Sequence, residues 1–146
     1  MCRENEAVAC FNKGFNCSQA VFSTYCEQLG LNKETALKIS CSFGAGMGRM
    51  AETCGAVTGA FMLIGLKYGK YLEKDMTSKG KTYELVQEFS DRFRQIHGSI
   101  KCKELLKCDI STPEGMKFAQ DNGYWDTYCV KYVEDASRII ENLLEL

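Results

Sequence analysis

Residues 78–97 have the sequence SKGKTYELVQEFSDRFRQIH, and this stretch gives the clearest evidence for the fold class. Its apolar side chains recur every three or four residues, which places them on one face of an α-helix. These side chains are Leu85, Val86, Phe89, Phe93 and Ile96. A helix that begins near Ser78 and ends at His97 is therefore predicted. Proline occurs once in the chain, and we predict an all-α fold.

The same periodicity predicts further helices on both sides of this stretch. Residues 4–11 and 17–29 are predicted as two helices separated at Gly14, and residues 32–43 as a third with Asn32 as its N-cap. Residues 68–81 and 108–113 are predicted as polar connections. An uncharged helix starts at Cys54, and the last helix carries one apolar face: Cys129, Val133, Ala136, Ile140 and Leu143. A bundle of about six to seven helices is expected.

Length and composition favour one globular domain over residues 1–146. Apolar residues make up 45% of the chain, charged residues 25%, and the net charge is −1, which argues against disorder and against general nucleic-acid binding. The longest uncharged run, residues 53–66, is shorter than the roughly 20 residues that span a bilayer, so no membrane insertion is expected. The polar N-terminus lacks a secretory signal, and a cytoplasmic location is expected.

Nine cysteines are many for a cytoplasmic chain and suggest metal ligation or redox chemistry. Four of them lie close to a residue that can cap a helix, and Asn16 with Gln19 forms a variant of the capping box. Backbone N–H groups and the positive end of the helix favour a thiolate at such positions. We therefore expect these four to share one sulfur site; the pairs are Asn16 and Cys17, Thr53 and Cys54, Ser99 and Cys102, and Asp126 and Cys129.

The remaining cysteines have other predicted roles. Cys10, Cys26 and Cys41 fall inside or late in their helices and are expected to pack as small apolar side chains, while Cys2 lies on the terminus. Cys108 lies in a loop close to Cys102. It can resolve a disulfide, replace a ligand or simply be a surface residue.

Two glycine patterns lie close to the cysteines. Gly55 and Gly59 give the helix from Cys54 a small face that another helix backbone can approach. The glycine-rich segment 43–49 is predicted as a turn. If this turn lies beside Cys54, then Gly46, Gly48 and Arg49 can offset negative charge at the sulfur site.

Two further features are assigned structural roles. His97 is expected to interact with the negative end of its own helix, because it is the last residue of the amphipathic stretch. Trp125 lies in an aromatic cluster just before Cys129, and this cluster is expected to shield the sulfur site from water.

The order of these motifs resembles a known protein family. The pieces NCSQAV at 16–21, FGAGMGR at 43–49 and CGAVTG at 54–59 precede Cys102 and Cys129, as in the C_GCAxxG_C_C family of redox-active proteins. The resemblance implies that the family's four cysteines are Cys17, Cys54, Cys102 and Cys129. Members are similar to the iron–sulfur region of split-Soret cytochromes, which implies cysteine ligation of iron. The Cys-x-x-Cys-His haem motif is absent from this chain.

Three hypotheses follow for the four cysteines. The first is an iron–sulfur cluster, such as 2Fe–2S, in an electron carrier that serves an unidentified redox partner protein. The second hypothesis needs no cofactor. Cys54 acts as the attacking thiol in thiol–disulfide exchange or sulfur transfer, and a second cysteine, such as Cys102 or Cys108, resolves the mixed disulfide. The third is a structural zinc site. An electron-transfer protein is favoured over a stand-alone enzyme, and the apolar C-terminal helix allows a homodimer.

Overall fold

The computed structural model describes residues 3–146, so the predicted terminal position of Cys2 lies outside the described residues. Within them there is no strand, only one isolated antiparallel bridge between Thr53 and Lys101, and the all-α prediction is confirmed. A 3₁₀ turn, Glu27–Leu29, follows the second helix, and a π-helical turn, Trp125–Cys129, precedes the last. The eight right-handed α-helices are α1 (Glu4–Asn12), α2 (Cys17–Tyr25), α3 (Lys33–Cys41), α4 (Gly55–Tyr68), α5 (Met76–His97), α6 (Cys102–Leu106), α7 (Pro113–Asp121) and α8 (Val130–Leu144).

Helices α2 and α4 pack closely in the centre of the fold because two glycines of α4 face α2. A Cβ atom on Gly55 would lie 2.6 Å from Cys17 Sγ, and one on Gly59 would lie 2.8 Å from the carbonyl oxygen of Ser18. Any larger side chain at these positions would push the helices apart. The predicted small face of α4 is thus confirmed, and it places the first residue of α2 against the start of α4.

The amphipathic helix α5 covers this core, with Leu85, Phe89 and Phe93 buried as predicted. Ile96 was also predicted on the buried face, and this is wrong, because its side chain is 57% exposed. The connection was predicted to extend over residues 68–81, but its last six residues belong to α5. Helix α5 begins at Met76, where the side chain of Asp75 accepts a hydrogen bond from Ser78 N.

The ends of the chain pack on the same core. Helix α8 buries Val133, Ala136 and Ile140, as its apolar periodicity predicts, and it contacts both α1 and α4. Helix α7 was not predicted; Thr112 caps it, and Pro113 occupies its first turn. None of the helices in residues 3–146 is long and apolar enough to span a membrane.

Candidate functional site

Four cysteines from four separate segments line one cavity of about 350 Å³. Cys17 is the first residue of α2, Cys54 immediately precedes α4, and Cys102 is the first residue of α6. Cys129 is the last residue of the π-helical turn. Among the described residues that line the cavity there is no carboxylate, and thiols are the main metal-ligating groups.

Cys17 lies where backbone amides converge on its sulfur. The Asn16 side chain accepts a hydrogen bond from Gln19 N, and the Gln19 side chain accepts one from Asn16 N, so the predicted capping box is confirmed. The cap leaves the N–H groups of Cys17 and Ser18 free to donate to Cys17 Sγ.

A thiol and three amides stabilise the charged form of Cys17. The largest effect is the hydrogen bond from Cys54, followed after burial by the backbone amides of Ala45, Cys17 and Ser18. Burial opposes ionisation, but the four donors outweigh it and lower the pKa of Cys17 to about 6. Cys17 is therefore the more acidic thiol of the pair that it forms with Cys54.

Cys54 is the neutral partner of this pair. Its thiol donates to Cys17, and that hydrogen bond, together with burial and the charge of Cys17, raises the pKa of Cys54 well above its ordinary value. The prediction that Thr53 caps α4 is wrong by one position, since Cys54 itself is the N-cap residue. Cys54 N donates to the carbonyl of Ile100 at 2.8 Å and does not face a sulfur.

Cys102 is held beside Cys54 by the bridge between residues 53 and 101. Cys102 N donates to the carbonyl of Glu52 at 2.6 Å, so two chain segments lie side by side at the cavity. Burial and the charge of Cys17 raise the pKa of Cys102 to about 12. The prediction that Ser99 caps this helix is wrong, because Lys101 is the N-cap residue and Ser99 Oγ donates to Glu104.

Cys129 reaches the cavity in a different way. The prediction that Asp126 caps the last helix is wrong, since Asp126 lies inside the π-helical turn and Cys129 runs directly into α8. This turn presents both Trp125 and Cys129 to the cavity. Burial, and then the charges of Cys17 and Cys102, raise the pKa of Cys129.

The glycine-rich segment forms a left-handed turn at the cavity, and five successive residues have positive φ: Ala45, Gly46, Met47, Gly48 and Arg49. Glycine adopts this conformation freely, but Ala45, Met47 and Arg49 do so at a steric cost, and such strain is frequent at functional sites. The turn places the amide of Ala45 against Cys17 Sγ. Gly46 is required sterically, because a Cβ there would lie 2.6 Å from Ala51 Cα.

Three residues were predicted to offset negative charge at the sulfur site, and the structure places two of them at the cavity. Gly46 and Arg49 line the cavity, whereas Gly48 does not. Arg49 is exposed, and within residues 3–146 it forms no ion pair or side-chain hydrogen bond. Its guanidinium group is therefore available to an anion in the cavity.

The rest of the cavity wall is mainly apolar and was largely missed by the sequence analysis. Trp125 is the exception, since its aromatic cluster was expected beside the sulfur site. Tyr132 donates its hydroxyl to the carbonyl of Leu105 at 2.9 Å, and burial raises the pKa of Tyr132. Only the periodicity of their helices marks these residues as inward-facing; the wall includes Phe11, Leu105, Leu106, Ile110, Met116, Trp125 and Tyr132.

The other described cysteines lie outside the cavity wall. Cys108 is half-buried and close enough to Cys102 and Cys129 to affect their ionisation. Cys26 is fully buried and donates to the carbonyl of Ser23, as its packing role predicts. Cys10 is half-buried with Sγ 3.7 Å from Ser23 Oγ, whereas Cys41 is exposed and does not pack in the core.

His97 is a structural residue of the adjacent core. Its Nε2 lies 2.8 Å from Oδ2 of the buried Asp135, and its ring packs edge-on against Tyr132 at 4.8 Å between centroids. The predicted position at the end of α5 is confirmed, and its partner is a carboxylate of α8.

The four thiols line the cavity, but they do not form a ready-made site for one metal ion. Among residues 3–146, no group of three or more His, Cys, Asp or Glu side chains has the arrangement needed around a single metal ion. Tetrahedral zinc requires each sulfur at about 2.3 Å from one centre. The described side chains do not provide this arrangement.

Comparison with known proteins agrees with the motif order. Residues 15–143 match the family described as "Putative redox-active protein (C_GCAxxG_C_C)". No curated protein and no solved structure matches the chain. Because the match extends from just before Cys17 almost to the end of α8, the chain belongs to the C_GCAxxG_C_C family.

Proposed function

We propose that this protein carries electrons through an iron–sulfur cluster ligated by Cys17, Cys54, Cys102 and Cys129. One observation carries the proposal: four cysteines from separate segments line a single cavity of about 350 Å³. Four thiolates are the ligand set that 2Fe–2S and 4Fe–4S clusters require. When bound, such a cluster supplies reversible one-electron transfer.

The donor chemistry of the cavity fits a cluster. Cysteines provide its main ligands, and no carboxylate competes for iron among the described lining residues. The apolar wall around Trp125 and Leu105 limits water at the sulfurs, and solvent exposure is one of the factors that set the potential of such centres.

The charges of the site also favour a bound cation. Burial and neighbouring thiolates raise the pKa values of Cys102 and Cys129, so four thiolates would repel one another in an empty cavity. Iron relieves this repulsion because thiolate ligation replaces the protons. The amides that donate to Cys17 and the unpaired Arg49 offset the net negative charge that remains.

A cluster suits the described ligand arrangement better than a single zinc ion does. A single ion needs all its ligands around one centre, and no described group provides this arrangement. In a cluster the cysteines bind different irons, so the sulfurs can stand further apart. The zinc hypothesis has no geometric support in the described residues.

The test is metal and sulfide analysis of protein purified without oxygen. We expect iron, acid-labile sulfide and a visible thiolate-to-iron absorption band. Cys54→Ser should lose all three, whereas the matched variants Cys26→Ser and Cys108→Ser should retain them. Zinc without sulfide, or an equal loss in Cys26→Ser and Cys54→Ser, would overturn the assignment.

A second candidate function rests on the hydrogen-bonded pair of Cys54 and Cys17. The low pKa of Cys17 makes it the attacking thiolate, in place of the Cys54 assigned from sequence. Cys17 attacks a substrate disulfide, forms a mixed disulfide and releases one thiolate. Cys54 then loses its proton, attacks Cys17 Sγ and releases the second thiolate, so the dithiol is oxidised by two electrons and the substrate disulfide is reduced.

Metal-free protein distinguishes this candidate from the first. If the dithiol acts, Cys17→Ser should abolish the reduction of a model disulfide, and Cys54→Ser should accumulate the mixed disulfide, detectable by mass spectrometry. Equal activity of wild type and Cys17→Ser would exclude it.

A further inference from the structure

A basic and apolar surface lies at the far end of α4 from the cysteines, and we propose that it binds the surface of an anionic lipid bilayer. This surface, the lysine patch, is formed by residues 67–83, which end α4, connect the helices and begin α5. Cys54 precedes one end of α4, and Tyr68 is at the other. A helix of this length spans about 20 Å, so the patch is separate from the cavity.

The lysine patch exposes large apolar side chains that the core does not use. Tyr71 is 91% exposed, and Leu72, Met76 and Tyr83 are each between 58% and 60% exposed. Met76, Lys79 and Tyr83 fall on one face of α5 at helical spacing, and Leu72 lies in the turn that precedes this helix. A group of exposed large apolar side chains commonly marks an interaction site.

The charge of the lysine patch is positive although the whole chain has a net charge of −1. Residues 67–83 include five lysines against Glu73 and Asp75, and Asp75 is engaged in capping α5. Lys79 Nζ lies 5.6 Å from the ring centre of Tyr83, so cations and aromatic rings alternate over the surface. The charge of the lysine patch therefore favours a negatively charged partner.

The residue types favour lipid over protein. Protein interfaces are enriched in arginine and depleted in lysine, yet every cation of the patch is lysine. Long lysine side chains can extend to phosphate groups while Tyr71 and Leu72 enter the headgroup region, as in proteins that lie on a membrane. Each lysine near an anionic surface adds a similar increment to the binding free energy. The contact is peripheral and does not depend on the function proposed for the cysteines.

Co-sedimentation of the full chain with lipid vesicles tests the proposal. We expect binding to phosphatidylcholine vesicles that contain phosphatidylglycerol, no binding to pure phosphatidylcholine, and weakening as salt is raised. Lys74→Gln combined with Lys79→Gln should weaken binding about 25-fold, from about fivefold per lysine. Leu72→Ser should also weaken it.

Matched variants provide the controls. Lys38→Gln with Lys117→Gln removes the same charge elsewhere, and Ile39→Ser removes an aliphatic side chain that is 47% exposed. These controls should bind like wild type, and circular dichroism should show the same fold for all. The proposal would be overturned if the protein bound neither kind of vesicle or bound both equally. It would also be overturned if the protein bound polyglutamate in place of vesicles, and that result would indicate an acidic protein partner.

Discussion

Cys17 and Cys54 are both buried, and the hydrogen bond between them lowers the pKa of Cys17 and raises the pKa of Cys54. The asymmetry comes from position, since α2 directs two of its first amides and the left-handed turn directs a third at Cys17, whereas the amide of Cys54 bonds to Ile100. A thiolate next to a thiol can receive iron or attack a disulfide. The same pair of atoms thus supports both candidate functions.

The pH dependence of Cys17 alkylation should reveal this pair. In reduced, metal-free protein, we expect iodoacetamide to modify Cys17 with a midpoint near pH 6, because the pKa is lowered to about 6. Cys54→Ala removes the donating thiol and should move the midpoint upward, whereas Cys54→Ser keeps a donor and should move it less. Mass spectrometry of the modified peptide measures this. A midpoint near the ordinary cysteine value in wild type would contradict the assignment.

The lowered pKa also links stability to pH. A group whose pKa is lower when folded stabilises the fold above its unfolded pKa, and this contribution is lost as pH falls through the folded pKa. For Cys17 the contribution should therefore decline from about pH 9 and be gone below about pH 6. Cys17→Ala should lack this component in urea unfolding measured across the range.

Gly55 should show the cost of separating α2 from α4. Alanine stabilises a helix interior relative to glycine by about 0.5–1 kcal/mol, a gain that applies to Gly65 more than to Gly55, the first residue of α4. In Gly55→Ala the new Cβ would meet Cys17 Sγ at 2.6 Å, so we expect a net loss of about 1–3 kcal/mol in unfolding free energy. Gly65→Ala in the same helix meets no atom within 4 Å and should be stabilising. Equal changes in unfolding free energy for Gly55→Ala and Gly65→Ala, measured by chemical denaturation, would show that the close approach of α2 and α4 does not contribute to stability.

At the scale of elements, the left-handed turn offers a comparison of strain with steric clash. Gly46 and Gly48 both have positive φ, and alanine there costs about 1–2 kcal/mol from strain alone. A Cβ on Gly46 would also lie 2.6 Å from Ala51 Cα, whereas one on Gly48 has only a 3.5 Å contact. Urea unfolding should therefore show a clearly larger loss for Gly46→Ala than for Gly48→Ala. A larger loss for Gly48→Ala would contradict the close contact between Gly46 and Ala51.

The π-helical turn can be tested by removing one residue. Deletion of Thr127 should restore α-helical spacing and rotate the preceding segment by about 100° relative to α8. Because buried Val133 and Ala136 anchor α8, Trp125 should leave the cavity wall. Trp125 is the only tryptophan, so its fluorescence should shift to longer wavelength, while Thr127→Ala leaves it unchanged. An unshifted spectrum in the deletion variant would contradict this role of the turn.

Helix positions followed from the sequence wherever periodicity and caps were local. Asn16 and Asn32 cap α2 and α3 as predicted because a cap depends on residues within one turn. The left-handed conformation of Ala45 and the π-helical turn before Cys129 could not be predicted, since tertiary packing imposes them against local preference. The caps proposed for the last three cysteines also failed: Cys54 and Lys101 are themselves N-cap residues, and Cys129 continues directly into α8.

At the scale of the molecule, the candidate ligands come from four separate elements, so a bound cluster cross-links the fold. Removing metal with a chelator should lower the thermal midpoint by on the order of 10 °C, because a ligand that binds only the folded state stabilises it. Calorimetry before and after anaerobic chelation measures the change. A variant with Cys17, Cys54, Cys102 and Cys129 all replaced by serine should show no chelator effect, and an equal shift there would mean that metal binds elsewhere.

The bridge between Thr53 and Lys101 has a consequence for synthesis on the ribosome. Chains emerge N-terminal first, and Cys17 and Cys54 leave the exit tunnel well before Cys102, whose backbone must pair with Glu52. The π-helical turn with Cys129 follows later still. A nascent chain therefore exposes Cys17 and Cys54 before the other two cysteines of the cavity are available, and the cavity that buries them is complete only after α8 is made.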